Sequence, residues 1–180
     1  KIHKKFTWVQ GCWLATALVL FIAGAYAFFE HDNSITKIAK PLGVSMLFAG
    51  IINLIVCEVK NREIHGANWL VAEGVTAICL SLFPLFNKMT LPVMIPFFFC
   101  MWELFSGVLK VMDSAELKHN HMECWRSFAV IGCIEMISGV VAMFKPFDDV
   151  VGMSNVIAVI FIIQSFGFAL KGSMYHHLVD

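Results

Sequence analysis

The chain has 180 residues, of which 59% are hydrophobic and 14% are charged, and its mean hydropathy is +0.77. Ordinary globular chains are about 45–50% apolar and about 25% charged. A soluble chain of this length could not bury so many apolar side chains, because a large part of its surface stays exposed. The composition therefore indicates an integral membrane protein, and a formal net charge of zero gives no reason to expect a nucleic-acid partner.

Six apolar stretches are long enough to cross a bilayer, for which a helix needs about 17–25 residues. Each segment must satisfy its own backbone hydrogen bonds within lipid, so an all-α fold of six transmembrane helices is predicted. The short links "NKMT" and "KPFDD" predict tight antiparallel pairs of spans 3 and 4 and of spans 5 and 6, within a single transmembrane domain over 1–180. In chain order the spans cover residues 7–29, 40–57, 68–86, 90–112, 125–144 and 150–170.

The distribution of lysine and arginine predicts the orientation, because cytoplasmic loops carry an excess of these residues. Nine of them fall on the side of the N-terminus: Lys1, Lys4, Lys5, Lys60, Arg62, Lys110, Lys118, Arg126 and Lys171. Four fall on the opposite side: Lys37, Lys40, Lys88 and Lys145. We therefore expect both termini to lie in the cytoplasm.

A related phrase recurs in every second span. It reads "LFAGIIN" at 47–53, "LFSGVLK" at 104–110 and, less closely, "SFGFALK" at 165–171. Units of two spans all run in the same direction across the membrane, so they are parallel repeats about an axis along the membrane normal. We predict a bundle of three such repeats with pseudo-threefold symmetry. The repeat units cover about 7–57, 68–112 and 125–171.

Small residues occur near the middle of nearly every span, often in pairs seven positions apart. Seven residues make two helical turns, so both members of a pair lie on one face. Small residues on a shared face allow membrane helices to approach closely. The glycines predicted to pack helices together are Gly24, Gly50, Gly107, Gly132 and Gly139.

The repeat units also carry a family resemblance. Trp8, Trp69 and Trp125 open the odd-numbered spans, and span 5 has a central glycine pair and ends in "AMFKPF" at 142–147. This pattern resembles the HdeD-like acid-resistance membrane proteins, in which such a two-helix unit occurs three times. The first unit departs from it, with "FFEHDN" in place of the corner proline. The resemblance covers almost the whole chain. It implies a bacterial inner-membrane protein that is linked to survival in acid and has no established reaction.

Glutamates occur inside three of the apolar spans, in "EGVTA" at 73–77, "ELFSG" at 103–107 and "EMISG" at 135–139. Positions three and four residues apart share a helix face, so Glu103 and Glu135 lie on the small-residue faces of their helices. Exposing a charge to lipid at the bilayer centre costs about 2.5–3.5 kcal/mol. Both are roughly 13–15 Å from the same membrane surface, so we expect them to face each other inside the bundle.

Three interpretations of these carboxylates remain open. They could be proton-responsive groups that bias helix packing as the cell acidifies. They could hydrogen-bond neighbouring helices in a purely structural role, or they could line the pathway of a small permease or channel. Lys110 lies two turns from Glu103 on roughly the same face and could offer it an ion pair near the interface. The candidates for a proton-responsive site or pathway are Glu73, Glu103, Glu135, Lys110, Asn53 and Gln164.

No motif for catalysis is present in the sequence. There is no Gly-x-Ser-x-Gly, His-Glu-x-x-His or phosphate-binding loop. The histidines of "HNHMEC" at 119–124 are too few to hold a metal in a flexible loop. We expect a protein that is not an enzyme, has no cofactor or metal site, and has the lipid bilayer as partner. A homo-oligomer and a small-molecule or ion ligand are left open.

Overall fold

Six α-helices make up the computed structural model, which describes residues 7–29, 35–60, 64, 66–86, 94–144 and 150–178. Each helix is long and apolar enough to cross a membrane, as predicted. The links "NKMT" and "KPFDD" lie outside the described residues. The helices are α1 (Trp8–Phe29), α2 (Ile35–Lys60), α3 (Ala67–Phe86), α4 (Met94–His119), α5 (Trp125–Met143) and α6 (Val150–Leu178).

Helices α2, α4 and α6 are longer than the apolar runs that predicted them. Helix α4, for example, continues to His119 rather than ending near residue 112. The added segment "DSAELKH" contains leucine, alanine, glutamate and lysine, which favour helix in water as well as in lipid. The length of the apolar stretches therefore predicts the apolar part of each helix, but not the polar extensions of α2, α4 and α6.

Three extensive helix–helix interfaces dominate the bundle: α2 with α3, α4 with α5, and α6 with α1. Smaller contacts of α1 with α2, α3 with α4 and α5 with α6 close the ring. Each extensive interface joins the second helix of one repeat unit to the first helix of the next, which gives the predicted pseudo-threefold arrangement. Helices α2, α4 and α6 also touch one another near the axis. The expectation of tight pairs across the short links is wrong, because the main partner of α3 is α2 and that of α5 is α4.

Close backbone contacts at glycine explain this choice of partners. A Cβ atom on Gly50 would lie 2.8 Å from the carbonyl oxygen of Gly74, and one on Gly107 would lie 2.7 Å from that of Gly132. Both distances are too short for a real Cβ contact, so only glycine permits these crossings. The glycine faces thus determine which helices pair, whatever the length of the connecting link.

The other two predicted packing glycines lie at the same kind of interface. A Cβ atom on Gly24 of α1 would lie 3.1 Å from the carbonyl oxygen of Ala158 on α6. A Cβ atom on Gly139 of α5 would lie 2.8 Å from the backbone nitrogen of Leu104 on α4. The outer surface is apolar and includes Phe166, which is 61% exposed, as a lipid-facing surface requires.

Candidate functional site

A group of ionisable side chains lies inside the bundle between α3, α4, α5 and α6. Each of its five charged members is at most 5% exposed. The group, here called the charge cluster, consists of Glu73, Glu103, Lys110, Glu135 and Lys171, together with the polar side chains of Ser106, Ser138 and Gln164. Buried lysine and glutamate are rare in proteins unless they are paired, so the contacts within the cluster decide what it can do.

Helical spacing brings the members of the charge cluster together. On α4, Glu103, Ser106 and Lys110 follow one another at intervals of three and four residues, which places them on one face. On α6, Gln164 and Lys171 are two turns apart and share a face in the same way. Two polar stripes on neighbouring helices therefore meet the glutamates of α3 and α5.

Lys110 is the central cation of the charge cluster. Its Nζ atom lies 2.9 Å from Glu73 Oε1, 2.7 Å from Glu135 Oε2 and 2.6 Å from Ser106 Oγ. An ammonium group has three N–H donors, and these three acceptors use all of them. The possible ion pair of Lys110 with Glu103 near the interface is not formed, since Lys110 is 2% exposed and forms its ion pairs with two other carboxylates.

Lys171 is the second buried cation and was missed as a site residue. It was counted among the cytoplasmic loop charges, yet it is 3% exposed and forms an ion pair with Glu73 Oε2. Glu73 thereby bridges Lys110 and Lys171. The repeat contained a signal for this, because Asn53, Lys110 and Lys171 occupy the last position of the three related phrases.

Glu103 differs from the other two glutamates because it is held by neutral groups. Ser138 Oγ donates to Oε1 at 2.9 Å, and Gln164 Nε2 donates to Oε2 at 2.7 Å. The side chain is fully buried. Of the ion pairs among the described residues, none involves Glu103. Among the glutamates of the charge cluster, Glu103 is therefore the one without a lysine as ion-pair partner.

Glu135 has a partner for only one of its two oxygens. Oε2 accepts from Lys110, whereas Oε1 is buried and has no hydrogen-bond partner in the described part of the chain. A Cβ atom on Gly167 would lie 2.7 Å from Oε1, so a side chain at this position of α6 would displace the carboxyl. Glu103 and Glu135 therefore belong to one cluster but have separate partners, linked through Ser138, which also lies 3.0 Å from the Glu135 carbonyl oxygen.

Asn53 makes its described side-chain hydrogen bond away from the charge cluster. Its Oδ1 atom accepts a hydrogen bond from Trp13 Nε1 at 3.3 Å, which joins α2 to α1. The structure thus brings together five of the six candidate residues and places Asn53 in a different contact. The charged members come from the second and third repeat units, and the first unit contributes an amide at the corresponding position.

The fold and the charge cluster define a multi-pass membrane protein built from repeated helix pairs with ionisable groups at its centre. Residues 15–86 and residues 72–144 each match a family described as a short repeat of unknown function, DUF308. The two matches begin the same number of residues apart as "LFAGIIN" and "LFSGVLK" do. Because they cover most of the chain, the protein belongs to the DUF308 family, whose membrane proteins include HdeD-like proteins.

Neither of the other comparisons adds a relative. No curated protein and no solved structure shows significant similarity to the chain. The functional argument therefore depends on the family and on the geometry of the charge cluster.

Proposed function

We propose that this DUF308-family protein is of the HdeD-like type and serves acid or envelope stress in the inner membrane of a bacterium, without catalysing a reaction. Membership of the family supports the proposal, as do the pattern of tryptophan, glycine and proline and the six spans. Both termini face the cytoplasm in this proposal. The charge cluster is the part of the molecule that senses acidity.

The balance of charges in the cluster carries the argument. Within the charge cluster, three glutamates face two lysines, and the lysines pair with Glu73 and Glu135. Asp113, which also interacts electrostatically with both lysines, is only partly buried and lies outside the cluster. Full ionisation would leave one uncompensated negative charge at Glu103. A buried charge without a counter-ion costs several kcal/mol, whereas a single proton on Glu103 makes the cluster neutral. We therefore propose that the charge cluster exchanges one proton, at Glu103.

The neighbours of Glu103 accommodate both of its protonation states. When Glu103 is ionised, Ser138 and Gln164 both donate to it. When Glu103 is protonated at Oε1, its hydroxyl donates to Ser138 Oγ, and Ser138 turns its own hydrogen to the Glu135 carbonyl oxygen, which is 3.0 Å away. Glu103 thus has donors for both oxygens when it is ionised and an acceptor for its proton when it is protonated. Apart from the proton itself, the change of state requires only the rotation of the Ser138 hydroxyl.

Proton uptake would alter the hold of α5 and α6 on α4. Hydrogen bonds to an ionised group are roughly twice as strong as those between neutral groups, and Glu103 receives one from each of these helices. Acidification weakens both bonds together. The proposed response is a looser contact of α5 and α6 with α4 as the pH falls.

Infrared difference spectroscopy on the protein in liposomes tests the proton site directly. Lowering the pH should increase the carbonyl stretch of a protonated carboxylic acid, and Glu103→Gln should abolish the component due to the buried group. Glu58→Gln is the matched control, because Glu58 is an exposed carboxylate on α2. A buried-acid band that is unchanged in Glu103→Gln and lost in another cluster variant would refute the assignment to Glu103.

Survival at low pH tests the cellular role. A strain that carries the Glu103→Gln, Glu135→Gln double variant, expressed at the normal level, should lose the protection that the wild-type chain gives. Unchanged survival would assign the cluster a structural role. A pH-dependent ion flux in proteoliposomes that Glu103→Gln abolishes would instead show that the same residues line a pathway.

A further inference from the structure

A groove separates α5 from α6 on the outer surface of the bundle. These two helices contact each other sparsely, since α5 packs on α4 and α6 packs on α1. The groove has a volume of about 590 Å³, within the range of small-molecule sites. Val130 and Ile134 of α5 form one wall, and Ile163, Phe166 and Leu170 of α6 form the other. The groove is apolar along these walls and faces the lipid.

One end of this α5–α6 groove carries positive charge. Arg126 and Ser127 line it in the first turn of α5, which contains no acidic residue. The N-terminus of a helix is the positive end of its dipole and favours anions. An arginine, a hydroxyl donor and a helix N-terminus thus converge at the mouth of the groove.

Trp125 places this mouth at the level of the lipid headgroups. Tryptophan is enriched at the membrane–water interface, and the ring of Trp125 lies beneath two cations. Lys118 Nζ is 4.9 Å from the ring centroid, and Arg126 Cζ is 5.5 Å from it. Lys118 therefore adds a second positive charge next to Trp125, the residue that precedes Arg126.

We propose that the α5–α6 groove binds one anionic phospholipid. The headgroup phosphate accepts hydrogen bonds from the Arg126 guanidinium and the Ser127 hydroxyl, since arginine is well suited to planar, bidentate recognition of phosphate. One acyl chain follows the apolar walls past Val130 to Ile134. At 1.5 Å per residue, the groove extends roughly 12 Å into the bilayer from Arg126.

The groove between α1 and α2 provides an internal comparison. It has a volume of about 450 Å³ and is lined by Val44, Phe48 and other residues that include no lysine, arginine or histidine. Apolar volume alone would let both grooves hold an acyl chain. Of these two grooves, only the α5–α6 groove has a cationic side chain in its lining. Comparing them therefore distinguishes binding of an acyl chain from recognition of the headgroup.

Native mass spectrometry of the purified full-length chain, with phosphatidylglycerol or phosphatidylcholine added to the detergent micelles, tests the proposal. The wild-type chain should retain one phosphatidylglycerol in preference to phosphatidylcholine. Arg126→Gln should reduce this preference about five-fold, equivalent to about 1 kcal/mol. Lys40→Gln is the matched control, since Lys40 is an exposed cation beside the α1–α2 groove, and it should leave the preference unchanged.

A second pair of variants tests the apolar part of the site without changing charge. Ile134→Trp fills the α5–α6 groove and should abolish retention of the lipid, whereas Val44→Trp fills the α1–α2 groove and should not. Both positions are exposed to lipid, at 46% and 56%, so both variants should fold. Thermal unfolding of each variant checks this.

Three results would overturn the proposal. Equal retention of the two lipids by the wild-type chain would remove headgroup selection. Equal behaviour of Arg126→Gln and Lys40→Gln would show that the arginine does not provide it. A dimer that forms without added lipid and is lost in Ile134→Trp would assign the groove to a second copy of the chain.

Discussion

Replacing Lys110 with methionine should destabilise the bundle through Glu135. Methionine keeps much of the length of the lysine side chain and removes its charge. Glu73 would keep Lys171, but Glu135 would lose the hydrogen-bond partner of its one satisfied oxygen. Removing one member of a buried ion pair costs about 3–5 kcal/mol, because an uncompensated charge is left behind. We expect a loss of this size in the free energy of unfolding.

A double variant distinguishes lost charge compensation from lost packing. Adding Glu135→Gln to Lys110→Met removes the stranded charge and should restore most of the lost free energy. Adding Glu58→Gln instead should restore none of the lost free energy, because Glu58 is an exposed carboxylate on α2. Equilibrium unfolding in mixed micelles, followed by circular dichroism, provides the measurement. A loss below about 1 kcal/mol for Lys110→Met, or equal rescue by the two second changes, would refute the reasoning.

The cost of Lys110→Met should also depend on pH. A protonated Glu135 needs no cation. The folded variant is therefore stabilised when Glu135 binds a proton, whereas in the wild-type protein Lys110 already balances its charge. Where the folded state binds more protons than the unfolded state, stability rises as the pH falls. The difference between wild type and Lys110→Met should therefore shrink on acidification, and a constant difference would contradict the account.

Three further predictions concern packing, the loop before α3 and topology. Gly50→Ala should cost about 1–3 kcal/mol in thermal or denaturant unfolding, since its Cβ meets the backbone of α3. Gly43→Ala should cost less, because its Cβ meets only the side chains of Leu85 and Pro84, at 3.1 and 3.2 Å. Gly66→Ala should destabilise because φ is +81° and the new Cβ would press on the Asp113 carboxylate; Gly66→Ala with Asp113→Ala should lower the melting temperature less. A reporter fused to the C-terminus should be active if it functions in the cytoplasm and inactive if it functions only outside it, because the C-terminus is proposed to face the cytoplasm.

Much of the fold could be predicted from the sequence because lipid imposes strong constraints. Apolar length located six spans, and the phrases ending at Asn53, Lys110 and Lys171 indicated the threefold repeat. The cost of a charge in lipid indicated that Glu103 and Glu135 face inward, where they are found fully buried. Each of these inferences depends on one helix at a time, which is why a single sequence was sufficient.

The buried lysines could not be predicted in the same way. A lysine near the end of an apolar run normally extends its side chain to the interface, and Lys110 and Lys171 were read accordingly. Two facts reverse this for Lys110: α4 continues beyond it to His119, and Glu73 and Glu135 approach it from other helices. The second fact is tertiary, and the first is a polar helix extension that apolar length does not detect. Removing the two lysines from the orientation count leaves the majority on the same side.

The pairing of helices explains why the cluster has an excess carboxylate. Since α4 packs on α5 and also contacts α3 and α6, its inward face meets side chains from both charged repeat units. The repeat provides a lysine in the second and third units and an asparagine in the first, so the cations number two. Two carboxylates, Glu73 and Glu135, satisfy them. Glu103 lies instead between a serine of α5 and a glutamine of α6, and in the proposed function a proton balances its charge.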